Sequence, residues 1–238
     1  MSVLLAIISH PKDNSLVERH WPYFKMTGWP ILGCGTVDEK CEWPEDVTRL
    51  DTGKLGTKMT PAGSSIFGLV QQELDIWKYF LEQTNYDSVC VVEADNLFTK
   101  KPPEHPGGGI YLITLLPNYE PRQLFKTVVY FSTPRWADRK AADALYRNGS
   151  EMFKRGDVEH FISDRFPAWV CHRHRIPWLN QPAWSPSIFV QSDSEWVRDA
   201  RAAIGCGCYC LHSVKHEWQL AAVEDLIPLK HERIPCFA

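Results

Sequence analysis

Two rhythms alternate along this chain: short continuous apolar runs, and apolar positions spaced near 3.6 residues. "VLLAIISH" near the start is an unbroken run of strand length, as expected for a strand covered on both faces. "DNSLVERHWPYFKMTG" follows with helical spacing, Asn14 or Ser15 standing where a cap is expected, Glu18 at the capping-box position and Gly28 near the end. "WPILGCGTV" predicts a second strand ending near Asp38, and "LDTGKLGTKMTPAGSS", rich in Gly, Thr and Lys, reads as a loop. In "SSIFGLVQQELDIWKYFLEQTN" the residues Ile66, Leu69, Val70, Leu74, Trp77 and Leu81 share a helical face, while Gln71, Gln72, Glu73 and Lys78 fall on others. "YDSVCVVEAD" then supplies a third buried strand.

The order strand, helix, strand, loop, helix, strand predicts an α/β fold with a mixed, mostly parallel central sheet flanked by helices. Farther on, "GGIYLITLL" and "TVVYFSTP" read as strands, "RWADRKAADALYRN" and "EHFISDRFPAWVCHRH" as helices, and "PSIFVQ" and "GCGCYCLH" as late strands around the helix "SDSEWVRDARAAIG". No fixed-period repeat or low-complexity tract divides the chain. Residues 1–238 are therefore expected to form one domain, with Pro102 to Gly109 marking the passage from a first half, about 1–101, to a second, 102–238.

Composition narrows the classes of function. A net charge of -3 and a pI near 6.3 give no global attraction to nucleic acid or anionic lipid, so such a partner would need a local basic patch. The N-terminus has an apolar run but neither a basic n-region nor a small-residue cleavage site, and no stretch reaches bilayer-spanning length, so a cytoplasmic protein without membrane insertion is expected. Eight cysteines in that setting read as reduced thiols.

The run "SVCVVEADNLF" raises the sharpest chemical question, because a strand buried on both faces ends in Glu93 and Asp95, one residue apart. Desolvating a carboxylate is costly unless a cation meets it, which points to a metal or ligand site; an ordinary strand end turning into solvent is the bland alternative. The other dense group, Cys206, Cys208, Cys210 and His212, invites a zinc reading. Alternate residues of an extended strand stand roughly 6.5 Å apart and cannot converge on one tetrahedral ion without a sharp bend, so small side chains packing a strand fit better.

Ligands of open α/β sheets bind beyond the carboxyl ends of the strands. Three such ends carry polar groups here: Ser9 and His10, then Thr36 and Asp38, then Glu93 and Asp95. With Glu93-Ala94-Asp95 in the place of an Asp-x-Asp motif after a helix and a buried strand, the chain resembles a GT-A glycosyltransferase over roughly residues 3–98, and again at "CLHSVKHEW". The first position departs from the usual motif in being Glu.

The resemblance implies a GT-A-like fold and an enzyme that moves a sugar from a nucleotide-diphosphate-sugar, a UDP-sugar above all, to a hydroxyl acceptor with Mn²⁺ or Mg²⁺. Asp95 would ligate the metal, Glu93 would reach it directly or through water or else contact the ribose, and His212 would complete the site. Lys215 and His216 would lie near the diphosphate. Ser9 and Asp38 would face the nucleoside, with Gly53 and Lys54 close to it. Hard oxygen ligands suit either ion, and a ligating imidazole favours manganese. The bland readings are a core or surface histidine for His212, a solvated lysine for Lys215, and a flexible loop for Gly53 and Lys54.

An inverting enzyme needs a carboxylate base, and Asp164 among the aromatics of "FISDRFPAW" is the candidate, against an aspartate paired with Arg165. The acceptor is expected to be a glycan or protein, or, since Arg173 and Arg175 stand beside Trp178, a hydroxymethylated DNA base. Two rivals remain: a sugar nucleotidyltransferase, whose glycine-rich signature after the first strand is replaced here by "SHPKDNS", and a nucleotide- or glycan-binding module without catalysis.

Overall fold

The structure is a computed structural model that describes residues 1–36, 41–52, 66–105, 109–114, 131–155, 166–180 and 192–229. Its centre is a seven-stranded sheet made of β1 (Val3–Ile8), β2 (Ile31–Thr36), β3 (Thr48–Thr52), β4 (Ser88–Glu93), β6 (Ile110–Thr114), β7 (Phe131–Asp138) and β8 (Trp178–Asn180), in the order β3-β2-β1-β4-β7-β6-β8. Strands β3, β2, β1 and β4 run parallel, β7 is antiparallel to β4 and β6, and β8 is parallel to β6. A separate two-stranded ribbon pairs β5 (Leu97–Phe98) with β9 (Cys210–Leu211), antiparallel. The helices are α1 (Asn14–Lys25), α2 (Ile66–Gln83), α3 (Arg139–Arg155), α4 (Phe166–His174), α5 (Asp193–Gly205) and α6 (Glu217–Ala221).

The sheet is mixed and mainly parallel, as the alternation of elements predicts. Its two faces follow from the strand period of two. Leu4, Ala6, Ile8, Val89, Val91 and Ala137 join Val70, Leu74, Trp77 and Phe80 of α2 and the apolar stripes of α3 and α4 in one core. Val3, Leu5, Ile7, Cys90, Val92 and Trp136 point the other way, onto Val17, Trp21 and Phe24 of α1. Burying each such side chain contributes roughly 1.5–3 kcal/mol, so the alternation in β1 and β4 fixes which helix covers which face. On the α1 side a glycine is required at residue 33, since a Cβ there would lie 2.4 Å from the Trp43 ring.

Several local expectations change. Neither Asn14 nor Ser15 caps α1: Asp13 occupies the N-cap position, and Asn14 Oδ1 instead accepts from the Glu42 amide at 3.2 Å. The first three residues of the Gly-rich loop stretch belong to β3, because the parallel register Cys34↔Leu50 pairs them with β2. Arg135–Asp138 extend β7, so the helix there begins at Arg139. Gln72 and Glu73 of α2, off the apolar stripe, are nonetheless 2% and 1% exposed. The late strand in "GCGCYCLH" shrinks to Cys210–Leu211, and "PSIFVQ" lies outside the described residues.

Candidate functional site

The carboxyl ends of β1 and β4 lie side by side, with Ile8 opposite Glu93. Beyond Glu93 the chain turns at once, Asn96 N donating to Glu93 O at 3.0 Å. This turn is clamped from three directions. The Asn96 carboxamide accepts from the Glu93 amide at 2.9 Å and from the Thr133 hydroxyl at 2.6 Å, and donates to Thr133 O at 3.1 Å. Ala94 N donates to Ile8 O at 3.0 Å. From α1, the fully buried His20 places Nδ1 3.0 Å from Ala94 O. Burial holds the His20 imidazole down at about 4, so it is neutral and Nδ1–H donates to that carbonyl.

The ribbon then supplies the third group. Its register, Leu97↔Leu211, carries His212 to a place next to Asp95, and Val214 N donates to Asp95 O at 2.8 Å. His212 Nε2 lies 3.4 Å from Asp95 Oδ1 and 3.9 Å from Glu93 Oε2, and Lys215 Nζ lies 3.5 Å from Asp95 Oδ2. Glu93, Asp95 and His212 each offer one ligand atom, all within 4.8 Å of one another.

Electrostatics at the cluster are those of acids meeting cationic side chains. Burial pushes Asp95 upward, but the His212 imidazole, the Ser213 hydroxyl and the Lys215 ammonium outweigh it and hold the carboxyl at about 2. Burial likewise pushes His212 downward, and its contacts to Asp95 and Glu93 reverse that and raise it to about 9. Asp95 Oδ1 is nonetheless buried without a hydrogen-bond partner. A divalent cation fits this set: two carboxylates and one imidazole converge, and the buried Asp95 Oδ1 makes no hydrogen bond, with the His212 ring 3.4 Å away. A cation there would replace the proton that His212 carries.

In front of the cluster lies an open cavity of about 560 Å³, lined by Ser9, His10, Lys12, Asp13, Arg19, Gln72, Glu93, Asp95 and Lys215 among others. Ser9 is 5% exposed at the end of β1. Lys12 comes from the 3-10 turn Pro11–Asp13, which His10 caps by accepting from Lys12 N at 3.3 Å. Arg19 of α1 reaches Glu217 of α6 at 3.0 Å. Next to Gln72 in sequence, Glu73 of α2 forms a buried ion pair with Arg135 of β7.

Of the residues singled out from sequence, the structure brings Ser9, Glu93, Asp95, His212 and Lys215 together. His216 is exposed, stacks at an interplanar angle of 8° beside Trp218, and does not line the cavity. Asp38, Gly53, Lys54 and Asp164 lie outside the described residues. Among the described cysteines of "GCGCYCLH", Cys208 and Cys210 are buried and Cys206 is exposed, and His212 turns to the acids instead. Arg173 and Arg175 are exposed at the end of α4, away from the cavity wall. Sequence reasoning missed Lys12, Arg19, His20 and Gln72. For Lys12 the signal was its place just past the end of β1; for the other three, helical spacing assigns a face but not what lies above it.

No family model and no curated protein sequence matches the chain. Its fold is similar to a solved structure described as a glycosyltransferase involved in the glycosylation of the major capsid of PBCV-1, with a TM-score of 0.56 and 9% identity over 95% of this chain and 98% of that one. The chain therefore shares that structure's fold, a mixed and mainly parallel sheet flanked by helices. Among the described residues no helix is long and apolar enough to cross a membrane.

Proposed function

We propose that this protein is a glycosyltransferase of the GT-A type, moving a sugar from a nucleotide-diphosphate-sugar to a hydroxyl acceptor. The observation that carries the reading is the convergence of Glu93, Asp95 and His212, with the two acids on the cavity wall, in a fold similar to that of a glycosyltransferase. Fold alone does not give function, so the weight rests on these side chains.

Asp95, Glu93 and His212 would hold Mn²⁺ or Mg²⁺, which when bound neutralises, as a Lewis acid, charge developing on the departing diphosphate. The cavity wall carries three cationic side chains, Lys12, Arg19 and Lys215, against three acidic ones, Asp13, Glu93 and Asp95. A divalent ion held by the acids would add positive charge to this wall, which suits an anionic diphosphate. Lys215 is freed from Asp95 to face phosphate in that state, and Lys12 and Arg19 face it across the cavity. Ser9 lies where the nucleoside would enter, joined in this proposal by Asp38, Gly53 and Lys54; His216 contributes from outside the cavity. Asp164 takes the proton of the acceptor hydroxyl. UDP is the nucleotide, manganese the metal, and a glycan or protein the acceptor. The exposed Arg173 and Arg175 keep a modified DNA base as the alternative acceptor.

The test is thermal stabilisation by UDP-glucose, UDP-galactose, UDP-N-acetylglucosamine, GDP-mannose and the free nucleotides, with and without Mn²⁺, since a ligand specific to the native state raises its stability by mass action. A Mn²⁺-dependent shift with one nucleotide-sugar, followed by sugar transfer, is expected. A shift without transfer or donor hydrolysis would mark a binding module, and no shift with any would overturn the reading.

A further inference from the structure

Gln72 is the residue whose chemistry the cavity leaves unused. It lies on α2, is 2% exposed, and still forms part of the cavity wall together with Ser9, Glu93 and Asp95. Among the described residues its carboxamide makes no hydrogen bond, and its polar atoms are not fully enclosed by the protein. The neighbouring residue, Glu73, is instead paired through one carboxylate oxygen with the buried Arg135. A buried amide with neither protein partner nor full hydration is unfavourable in the ligand-free protein. It therefore offers a donor and an acceptor to whatever fills the cavity.

The kind of partner follows from the amide. A carboxamide both donates and accepts, which suits hydroxyl groups, whereas phosphate oxygens only accept and would leave the amide oxygen facing negative charge. The same wall already presents Lys12, Arg19 and Lys215 to phosphate. We infer that Gln72 binds hydroxyls of a sugar ring in this cavity through its side-chain amide and so helps select the donor; this rests on the glycosyl-transfer reading above. The ring is either the transferred sugar or the ribose of the nucleotide, and the experiment separates the two.

The experiment compares wild type with Gln72→Met and Gln72→Leu, both good helix formers with no polar side-chain atom able to pair with a hydroxyl. Two quantities are read: the thermal midpoint without ligand, and the Kd for UDP and for the nucleotide-sugar of the panel that stabilises wild type most, both with Mn²⁺. The ligand-free midpoint is expected to stay level or rise, while affinity falls about tenfold, as loss of one neutral hydrogen bond predicts. A loss confined to the nucleotide-sugar assigns the transferred sugar, and an equal loss for UDP assigns the ribose. Unchanged affinities in a wild type that binds would overturn the role of Gln72 while leaving the glycosyl-transfer reading intact. A drop in the ligand-free midpoint of about 4 °C or more in both variants would mean that the amide holds the fold instead. A wild type that binds no panel member overturns both readings.

Discussion

Asp95 carries a demanding position, a carboxylate that is 5% exposed, has one oxygen without a hydrogen bond, and has His212 and Lys215 beside it for charge balance. Asp95→Asn keeps its shape and removes the charge, so Mn²⁺-dependent nucleotide binding should vanish while the fold persists; calorimetry of Mn²⁺ and UDP binding checks this, and retained binding removes Asp95 from the site. His212→Ala should weaken Mn²⁺ binding about tenfold or more, since even outer-shell partners of a metal ligand are worth that much. The comparison that decides is the midpoint without metal: an equal loss there makes His212 a packing residue. Asp164→Asn should leave the affinity for the nucleotide-sugar intact and slow transfer, which steady-state kinetics resolves into kcat and KM; unchanged turnover excludes Asp164 as the base.

At the scale of elements, α1 and α2 cover opposite faces of the sheet, and each buries a polar group there, His20 and Glu73. His20 of α1 must stay neutral to remain buried. Its folded pKa, about 4, lies below the unfolded 6.5, so its contribution is complete above pH 6.5 and is lost as pH falls through the window to about 4. That window corresponds to about 3 kcal/mol. Burial depresses His105 as well, which adds in the same direction. Urea unfolding at pH 7 and at pH 4.5 should show wild type losing stability and His20→Gln losing less.

On the other face, Glu73 of α2 and Arg135 of β7 share a buried ion pair. Arg135→Met alone strands a buried carboxylate and should cost about 3–5 kcal/mol, whereas Glu73→Leu with Arg135→Met should recover most of it. Additive losses in denaturant unfolding would show that the two residues do not act as a pair.

Across the whole molecule, the site exists because distant segments meet at the carboxyl ends of two interior strands, β1 and β4. Residues 93–95 end β4, residues 9–19 leave β1 and enter α1, and residues 212–215 return from the far end of the chain on the β5–β9 ribbon. Strands from both sides of residue 102 share one sheet, β7 pairing with β4, so the acidic turn is braced by the second half of the chain through Thr133 and Cys210. Ligand binding and global stability are therefore coupled, which is what makes thermal shift an informative assay for this protein.

The chain by itself determined the layers. Continuous apolar runs in β1 and β4 and helical spacing in α1 and α2 are local patterns, and local patterns fix element type, order and buried face. It also displayed Glu93 and Asp95, because charge at the end of a buried strand is visible as a break in composition. The sequence did not reveal which polar residues of a helix look into a cavity: Gln72 and Glu73 are adjacent and both buried, and only packing against the β1 and β4 strand ends turns one toward the cavity and the other toward Arg135. Nor could it turn β3 from loop to strand, since five residues with little apolar pattern become a strand only when β2 offers its edge. The approach of His212 to Asp95 spans more than a hundred residues of chain, and such a contact has no local signature; the tertiary structure decided it through the register of two short strands.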